Sequence, residues 1–145
     1  MKVPFTFKKS FELSYYCKLL YENYLLLLNF ILMHELSIAM NIVEIACEQA
    51  KINNLSAIDE IEIEVGELSG VEIDALKFVM EIAKKETILE NSRTIFTLIP
   101  GLARCLICSK EFMTDSFFSQ CPECKQFNFQ IIQGQELRVK SLNVF

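Results

Sequence analysis

Four cysteines in two Cys-x-x-Cys pairs are the residues of this sequence best suited to chemistry. Cys105 and Cys108 form the first pair, Cys121 and Cys124 form the second, and twelve residues separate the pairs. A Cys-x-x-Cys turn directs both sulfurs at one point, so two facing turns provide the four thiolates of a tetrahedral Zn²⁺ site. Four protein ligands leave no open coordination position. The spacing therefore predicts a structural zinc ion.

Two disulfides, or unrelated buried cysteines, are the alternatives to zinc. Nothing in the sequence indicates a small secreted disulfide scaffold, and paired Cys-x-x-Cys is a metal-binding spacing. The intervening segment 109–120 has the length for one strand–turn–strand excursion, as in a zinc ribbon. So short a segment cannot bury a core of its own, and structural zinc supplies roughly 10–16 kcal/mol of apparent folding free energy in such modules. We expect a zinc-ribbon-like module over 101–134.

Composition excludes several classes of protein. The net charge is −5 and the isoelectric point is about 5.0, whereas a general nucleic-acid binder needs a basic face for phosphates. His34 is the single histidine of the chain, so sites that need several imidazole ligands are excluded. Six cysteines, four of them in metal spacing, suit a reducing compartment, and we expect a cytoplasmic protein.

Residues 1–32 differ from the rest of the chain. They are rich in Leu, Tyr and Phe, which fits a signal peptide or a membrane anchor. Lys18, Glu22 and Asn23 interrupt the apolar run, which leaves it short of the ~20 residues of a spanning helix, and no small-residue cleavage site follows. We therefore expect an apolar or disordered extension, or translated DNA upstream of a true start at Met33, and we expect no membrane association.

The regular part of the chain starts at Met33. Ser37 is expected to cap a helix that ends at Asn53 and Asn54. The inward positions of this helix step by three and four residues: Ile38, Ile42, Ile45, Ala46, Gln49 and Ala50. Cys47, inside the same helix, is expected to be a small buried hydrophobe.

A strand pattern, in which apolar and acidic residues alternate, and a second amphipathic helix pattern follow. Segment 58–67 predicts a strand with one apolar face and one wet face, the wet face carrying Glu60, Glu62 and Glu64. A helix is predicted over 72–85, a second strand over 94–99, and a last strand over 136–145. Because the last strand carries Arg138 and Lys140, we expect it to pair with the acidic strand.

These elements predict an α+β fold in which two helices pack on a small, mostly antiparallel sheet with an inserted zinc-ribbon-like module. Segments 33–100 and 135–145 would form one α/β domain, and 101–134 would be the insertion between two of its strands.

This arrangement resembles the HypA/HybF family of nickel metallochaperones, which act in hydrogenase maturation. The resemblance covers Met33 to about Val144, and four features carry it in order: Met33-His34-Glu35-Leu36-Ser37, Glu64-Val65-Gly66-Glu67-Leu68, the four cysteines, and Gly134-Gln135-Glu136-Leu137.

The resemblance implies a Ni²⁺ site at Met33-His34-Glu35. Its ligands would be the Met33 amine, the backbone amides of His34 and Glu35, and the His34 imidazole, a nitrogen set typical of near square-planar Ni²⁺. With residues 1–32 attached, Met33 has no free amine, so the complete site needs a start at Met33 or removal of the leader. The side chains of Glu35 and Glu67 are expected to be solvated.

The resemblance also implies partners. They are a nickel-delivery GTPase of the HypB type and the large subunit of a nickel-iron hydrogenase, with urease accessory proteins as a further set. The chain would be a monomer or a weak homodimer and not an enzyme, with zinc structural and nickel a transient cargo.

A zinc-ribbon module that binds proteins or nucleic acid is the alternative interpretation. Such a module would present a basic face with aromatic side chains. The module has five phenylalanines but only Arg104, Lys110 and Lys125 as basic residues. We therefore expect its phenylalanines to pack around the metal site: Phe112, Phe117, Phe118, Phe127 and Phe129.

Overall fold

The computed structural model describes residues 33–145, so the predictions made for 1–32 lie outside the described residues. Helix α1 covers the described residues 33–52. The other elements follow in chain order: β1 Glu60–Gly66, α2 Ile73–Ala83, β2 Arg93–Ile99, β3 Leu102–Cys105, β4 Glu111–Met113, β5 Phe129–Gln133 and β6 Leu137–Asn143. No helix within 33–145 has the length and apolar character needed to cross a membrane.

Helix α1 packs on the first sheet through a stripe of mostly small residues. Its buried apolar positions are Ala39, Ile42, Val43, Ala46 and Ala50. The buried stripe runs through these positions and leaves the predicted positions Ile45 and Gln49 outside it. Ile45 is 50% exposed and Gln49 is exposed, so those two predictions are wrong.

The start of α1 also differs from the prediction. Met33 is already helical, and the Ser37 hydroxyl donates to the Met33 carbonyl at 3.0 Å instead of capping the helix. The end is as predicted. Asn54 has φ 56°, and the Leu55 amide donates to the Ala50 carbonyl at 2.9 Å, which closes the last turn. Cys47 is half-buried against the core.

Strand β1, helix α2 and strand β2 form a β-α-β unit with β1 and β2 parallel. Leu76, Val79 and Met80 are the buried residues of α2 and pack on the same core as α1. Lys84, which follows α2, is 3% exposed. Its Nζ donates to the Ser92 carbonyl at 2.9 Å, and this bond ties the end of α2 to the start of β2.

Strand β6 pairs antiparallel with β1, so the first sheet has the order β2-β1-β6. This confirms the prediction that the last strand returns to the acidic strand. Glu64 lies opposite Arg138, whose Nε donates to Glu64 Oε2 at 2.8 Å. The Lys140 Nζ is 2.8 Å from Glu62 Oε1.

The acidic face of β1 is not wet, which corrects the prediction. Glu60 is 8% exposed and Glu64 is 7% exposed. Long basic side chains from both neighbouring strands cover these carboxylates, since Arg93 pairs with Glu60 from the other side. Arg and Lys bury their aliphatic stems while their charged ends stay in water, so these side chains can shield a row of carboxylates from solvent.

Acid is expected to weaken this sheet. Hydrogen bonds from Arg93 and Asn143 lower the pKa of Glu60 below its ordinary 4.5, and those from Lys140 and Thr97 lower the pKa of Glu62 likewise. A carboxyl with a lowered folded-state pKa stabilises the fold above about pH 4.5, and the contribution is lost as the pH falls below that value.

The measurement is the thermal midpoint of unfolding between pH 7 and pH 3. The midpoint of Glu62→Gln should fall less over this interval than that of the unchanged protein, because the variant has already lost the titrating group. Glu90→Gln, at an exposed position outside the sheet, is the control and should follow the unchanged protein. Equal acid sensitivity of the Glu62→Gln and unchanged proteins would contradict this account.

The second sheet has the order β4-β3-β5, with both strand pairs antiparallel. Three of the four strand pairs in the described chain are therefore antiparallel, and only β1–β2 is parallel. The chain enters the second sheet after β2 and leaves it before β6. Its three strands thus lie, in sequence, between two strands of the first sheet, as the α+β prediction required.

The two sheets meet where glycine backbones touch. A Cβ on Gly66 would lie 2.0 Å from the Gly134 carbonyl oxygen, so no larger residue fits there. The Leu68 amide donates to that same oxygen at 2.7 Å. Glu67 is exposed, as predicted, and its carboxylate also accepts a bond from the Gly101 amide at 3.2 Å. The junction between the sheets therefore combines close main-chain contacts with a side-chain contact from Glu67.

Candidate metal centres

Each Cys-x-x-Cys pair sits in a tight turn of the same construction. The Cys105 amide donates to the Lys110 carbonyl at 2.9 Å, and the Ser109 amide returns a bond to the Cys105 carbonyl at 3.0 Å. The second turn repeats both bonds between Cys121, Gln126 and Lys125, at 2.9 and 3.0 Å. Ser109 and Lys125 each have φ near +60°, at 62° and 60°. The left-handed residue after the second cysteine lets each turn close.

The two turns bring all four sulfurs together. The sulfurs of Cys105, Cys108, Cys121 and Cys124 lie within 4.8 Å of one another. Two of the distances are 3.5 Å, between Cys105 and Cys124, and 3.6 Å, between Cys108 and Cys121. Ligands about 2.3 Å from a tetrahedral Zn²⁺ stand about 3.8 Å apart. The donor set and its spacing therefore fit a closed zinc site.

The thiol pKa values show why this cluster favours a cation. Backbone amides, first that of Cys108 and then that of Ile107, lower the pKa of Cys105 to about 6. The Gln126 amide acts in the same direction on Cys124, but burial and the neighbouring sulfurs raise its pKa to about 12. One thiolate forms readily, and the charge it adds opposes ionisation of the others. A bound Zn²⁺ removes that opposition and holds all four as thiolates.

Met33 and His34 of the candidate nickel motif lie at the start of the described chain, on the surface of α1. Met33 is 70% exposed, and the His34 side chain is 61% exposed. Neither belongs to the cysteine cluster, which is the only group of three or more potential metal-ligating side chains that converges within 33–145. The structure thus brings the four cysteines together and places His34 outside their cluster.

Glu35 contradicts the expectation of a solvated side chain, because it is only 2% exposed. Its Oε1 accepts a hydrogen bond from the Glu72 amide at 3.2 Å and lies 3.6 Å from His34 Nδ1. The signal for this burial is present in the sequence. Glu35 stands four residues before Ala39 and seven before Ile42, on the same stripe of α1 that faces the core.

The phenylalanines of the zinc-binding segment are divided between packing and exposure. Phe112 and Phe129 pack edge to face, with ring centroids 5.7 Å apart, as expected for residues that support a small core. Phe117, Phe118 and Phe127 are 52%, 93% and 68% exposed, so the prediction that all five pack around the metal is wrong for these three.

The sequence model of one family, described as "Hydrogenase/urease nickel incorporation, metallochaperone, hypA", matches residues 33–144. The chain is 46% identical over 110 residues to the hydrogenase maturation factor HypA of Parabacteroides distasonis. The aligned region covers 76% of this chain and 96% of that protein. It is 38% identical over 112 residues to HypA of Chlorobaculum parvum, spanning 77% of this chain and 99% of that protein.

Solved structures are similar in fold. A solution structure of a HypA protein has a TM-score of 0.61 at 24% identity and covers 78% of this chain and 97% of that one. The solution structure of the nickel metallochaperone HypA from Helicobacter pylori has a TM-score of 0.56, also at 24% identity, and covers 74% of this chain and 94% of that one. With the family match over 33–144, these likenesses and the cysteine cluster lead to one conclusion: the chain belongs to the HypA family of hydrogenase maturation nickel metallochaperones, which are not enzymes.

Proposed function

We propose that this protein carries Ni²⁺ on the Met33-His34-Glu35 motif and delivers it during maturation of a nickel-iron hydrogenase. The observation that carries the proposal is the position of His34. It is the single imidazole in the sequence, it stands where the family match begins, and its side chain is 61% exposed. An exposed ligand can take up an ion and give it away without unfolding a core.

Zinc has a different role in this proposal. Cys105, Cys108, Cys121 and Cys124 hold Zn²⁺ as a closed structural site in the segment 101–134. Segments 33–100 and 135–145 form the nickel-binding domain. Four thiolates leave no open position for catalysis, and they need a reducing compartment, so the protein works in the cytoplasm.

Delivery requires partners. We assign to this protein a partner GTPase of the HypB type that promotes release of nickel, and the hydrogenase large subunit as acceptor. The family description names urease as well as hydrogenase, which makes urease maturation a second destination. Pull-down of each candidate with and without Ni²⁺ is the measurement that separates these acceptors.

A zinc-ribbon protein-interaction module is the second candidate function. It is favoured by the apolar side chains that the zinc-binding segment exposes, above all Phe118 at 93%. The two functions predict different metal binding. A pure interaction module binds zinc and no nickel, whereas the carrier binds both. A nucleic-acid partner is disfavoured by the overall charge of −5.

The test compares the 145-residue chain with a chain that begins at Met33. An amide nitrogen inside a chain is a far poorer ligand than a free α-amine, whose pKa is near 8. The shorter chain should bind about one equivalent of Ni²⁺ by calorimetry. The longer chain lacks one of the four nitrogen ligands and should bind at least about tenfold more weakly. Equally tight nickel binding by both chains would place the ligands elsewhere.

Mass spectrometry of the N-terminus of the protein isolated from cells completes this test. A terminus at Met33 supports the proposed site. A terminus at Met1 in protein that still delivers nickel contradicts it.

A further inference from the structure

The carboxylate of Glu35 is a buried ionisable group that the proposed nickel site leaves without a task. In that site Glu35 contributes only its backbone amide. Its Oε1 accepts from the Glu72 amide at 3.2 Å, across 37 positions of sequence. Its Oε2 is buried as well, and within 33–145 no group donates a hydrogen bond to it. Leaving one buried carboxylate oxygen without a donor costs free energy, which offsets part of what the bond to the Glu72 amide contributes.

That bond joins the nickel motif to the start of α2. Glu72 is the N-cap residue of α2, and its amide stands at the positive end of the helix, where a carboxylate is favoured. The same oxygen of Glu35 lies 3.6 Å from His34 Nδ1. One carboxylate therefore contacts both a proposed ligand of nickel and a helix that otherwise has no part in the site.

The first turn of α1 is in the wrong conformation for the cargo. Residues 33–35 are helical, and the Ser37 hydroxyl supports the turn through the Met33 carbonyl at 3.0 Å. Successive N–H bonds of an α-helix run nearly parallel to its axis. The nitrogens of three successive residues can converge on one ion only if the turn leaves the helical conformation. Nickel binding thus competes with whatever holds that turn in place.

We propose that the hydrogen bond between Glu35 Oε1 and the Glu72 amide acts as a latch. It holds the unloaded motif against α2 and opposes nickel uptake. Glu35 is then a positioning residue. The latch lowers the population of the binding-competent turn and so weakens the apparent affinity, which favours release to an acceptor. This inference rests on the proposed function, since it concerns the same motif.

The first experiment measures nickel affinity in chains that begin at Met33. Glu35→Gln and Glu35→Ala both remove the negative charge, but only glutamine retains an oxygen that can accept from the Glu72 amide. The alanine variant should bind Ni²⁺ about fivefold more tightly than the glutamine variant, the effect of one hydrogen bond. Glu44→Ala, at an exposed position of the same helix, is the control for loss of a carboxylate and should match its parent.

A second pair of variants removes the latch from the other side. Glu72 has φ −79°, which proline adopts readily, and proline has no amide hydrogen to donate. Glu72→Ala loses the same capping side chain but keeps the amide. The proline variant should bind nickel more tightly than the alanine variant. Equal affinities within both pairs, or weaker binding by Glu35→Ala and Glu72→Pro, would overturn the latch.

Hydrogen exchange of the Glu72 amide separates the latch from the proposed function, because it needs no nickel. In metal-free protein this amide should exchange faster in Glu35→Ala than in Glu35→Gln, and equal rates overturn the latch whatever the metal does. With Ni²⁺ added, the Glu72 amide of the unchanged chain should also exchange faster. A chain from Met33 that binds no nickel overturns the proposed function, and the metal-free comparison still decides whether the contact exists.

Discussion

Replacing His34 by alanine in a chain that begins at Met33 is expected to abolish stoichiometric Ni²⁺ binding. The chain has no second imidazole to take its place. Changes in residues that only support a metal ligand typically cost about 10–100-fold in affinity, so loss of a ligand itself should weaken nickel binding more than about 100-fold. Isothermal calorimetry and the absorption of a square-planar Ni²⁺ centre are the two measurements. Both signals should disappear together.

The zinc content and the helical signal of the same variant should not change. His34 is exposed and contributes to neither the cysteine cluster nor the buried core. Gln49→Ala, at an exposed position of the same helix, is a matched control and should bind nickel as its parent does. If His34→Ala kept its nickel affinity, the ion would bind elsewhere, and Cys108 is the exposed thiol among the zinc ligands that would be tested next.

The parts of this fold that the sequence predicted depend on short-range patterns. Two Cys-x-x-Cys turns have nearly fixed geometry, so spacing alone predicted that four sulfurs converge. Strand β6 was predicted beside β1 because opposite charges alternate along both, and Glu64 does lie opposite Arg138. In each case the pattern that carries the prediction lies within a few neighbouring residues, inside one turn or one strand.

The errors concern burial, which depends on residues distant in the sequence. Glu60 and Glu64 were expected in water, but basic side chains from the two flanking strands cover them. Glu35 was expected in water as an acidic residue beside a turn, although it lies on the buried stripe of α1, and its hydrogen-bond partner is an amide 37 positions away. Alternation predicts which face a residue is on. It does not predict which groups from elsewhere will cover that face.

The same limit applies to the candidate nickel site. Family resemblance predicted the motif from its position and residue types, but pattern alone gave no indication that the Glu35 carboxylate reaches α2. That contact depends on how α1 packs on the first sheet, where Ala39, Ala46 and Ala50 lie on its buried face. The packing of α1 thus determines the surroundings of the candidate nickel motif at its start.

Replacing Cys121 by serine is expected to release zinc and unfold the second sheet. Cys121 is fully buried and its sulfur is 3.6 Å from that of Cys108, so a serine oxygen would leave three thiolates and a poor fourth ligand. The small sheet has little core apart from Ala103, two cysteines and the Phe112–Phe129 contact, and it depends on the metal for stability. Zinc per chain, measured by atomic emission, should fall from about one to zero.

The helices should survive this change, because the core that holds α1 and α2 contains no residue between 101 and 134. Far-ultraviolet circular dichroism should therefore keep most of its helical signal, while proteolysis should cut within 101–134. Cys47→Ser removes a thiol from α1, outside the cluster, and should retain zinc and resist cleavage. Loss of the whole helical signal in Cys121→Ser would mean that the glycine contacts at Gly66 and Gly134 couple the sheets so tightly that zinc stabilises both. Retention of zinc would mean that three thiolates are enough.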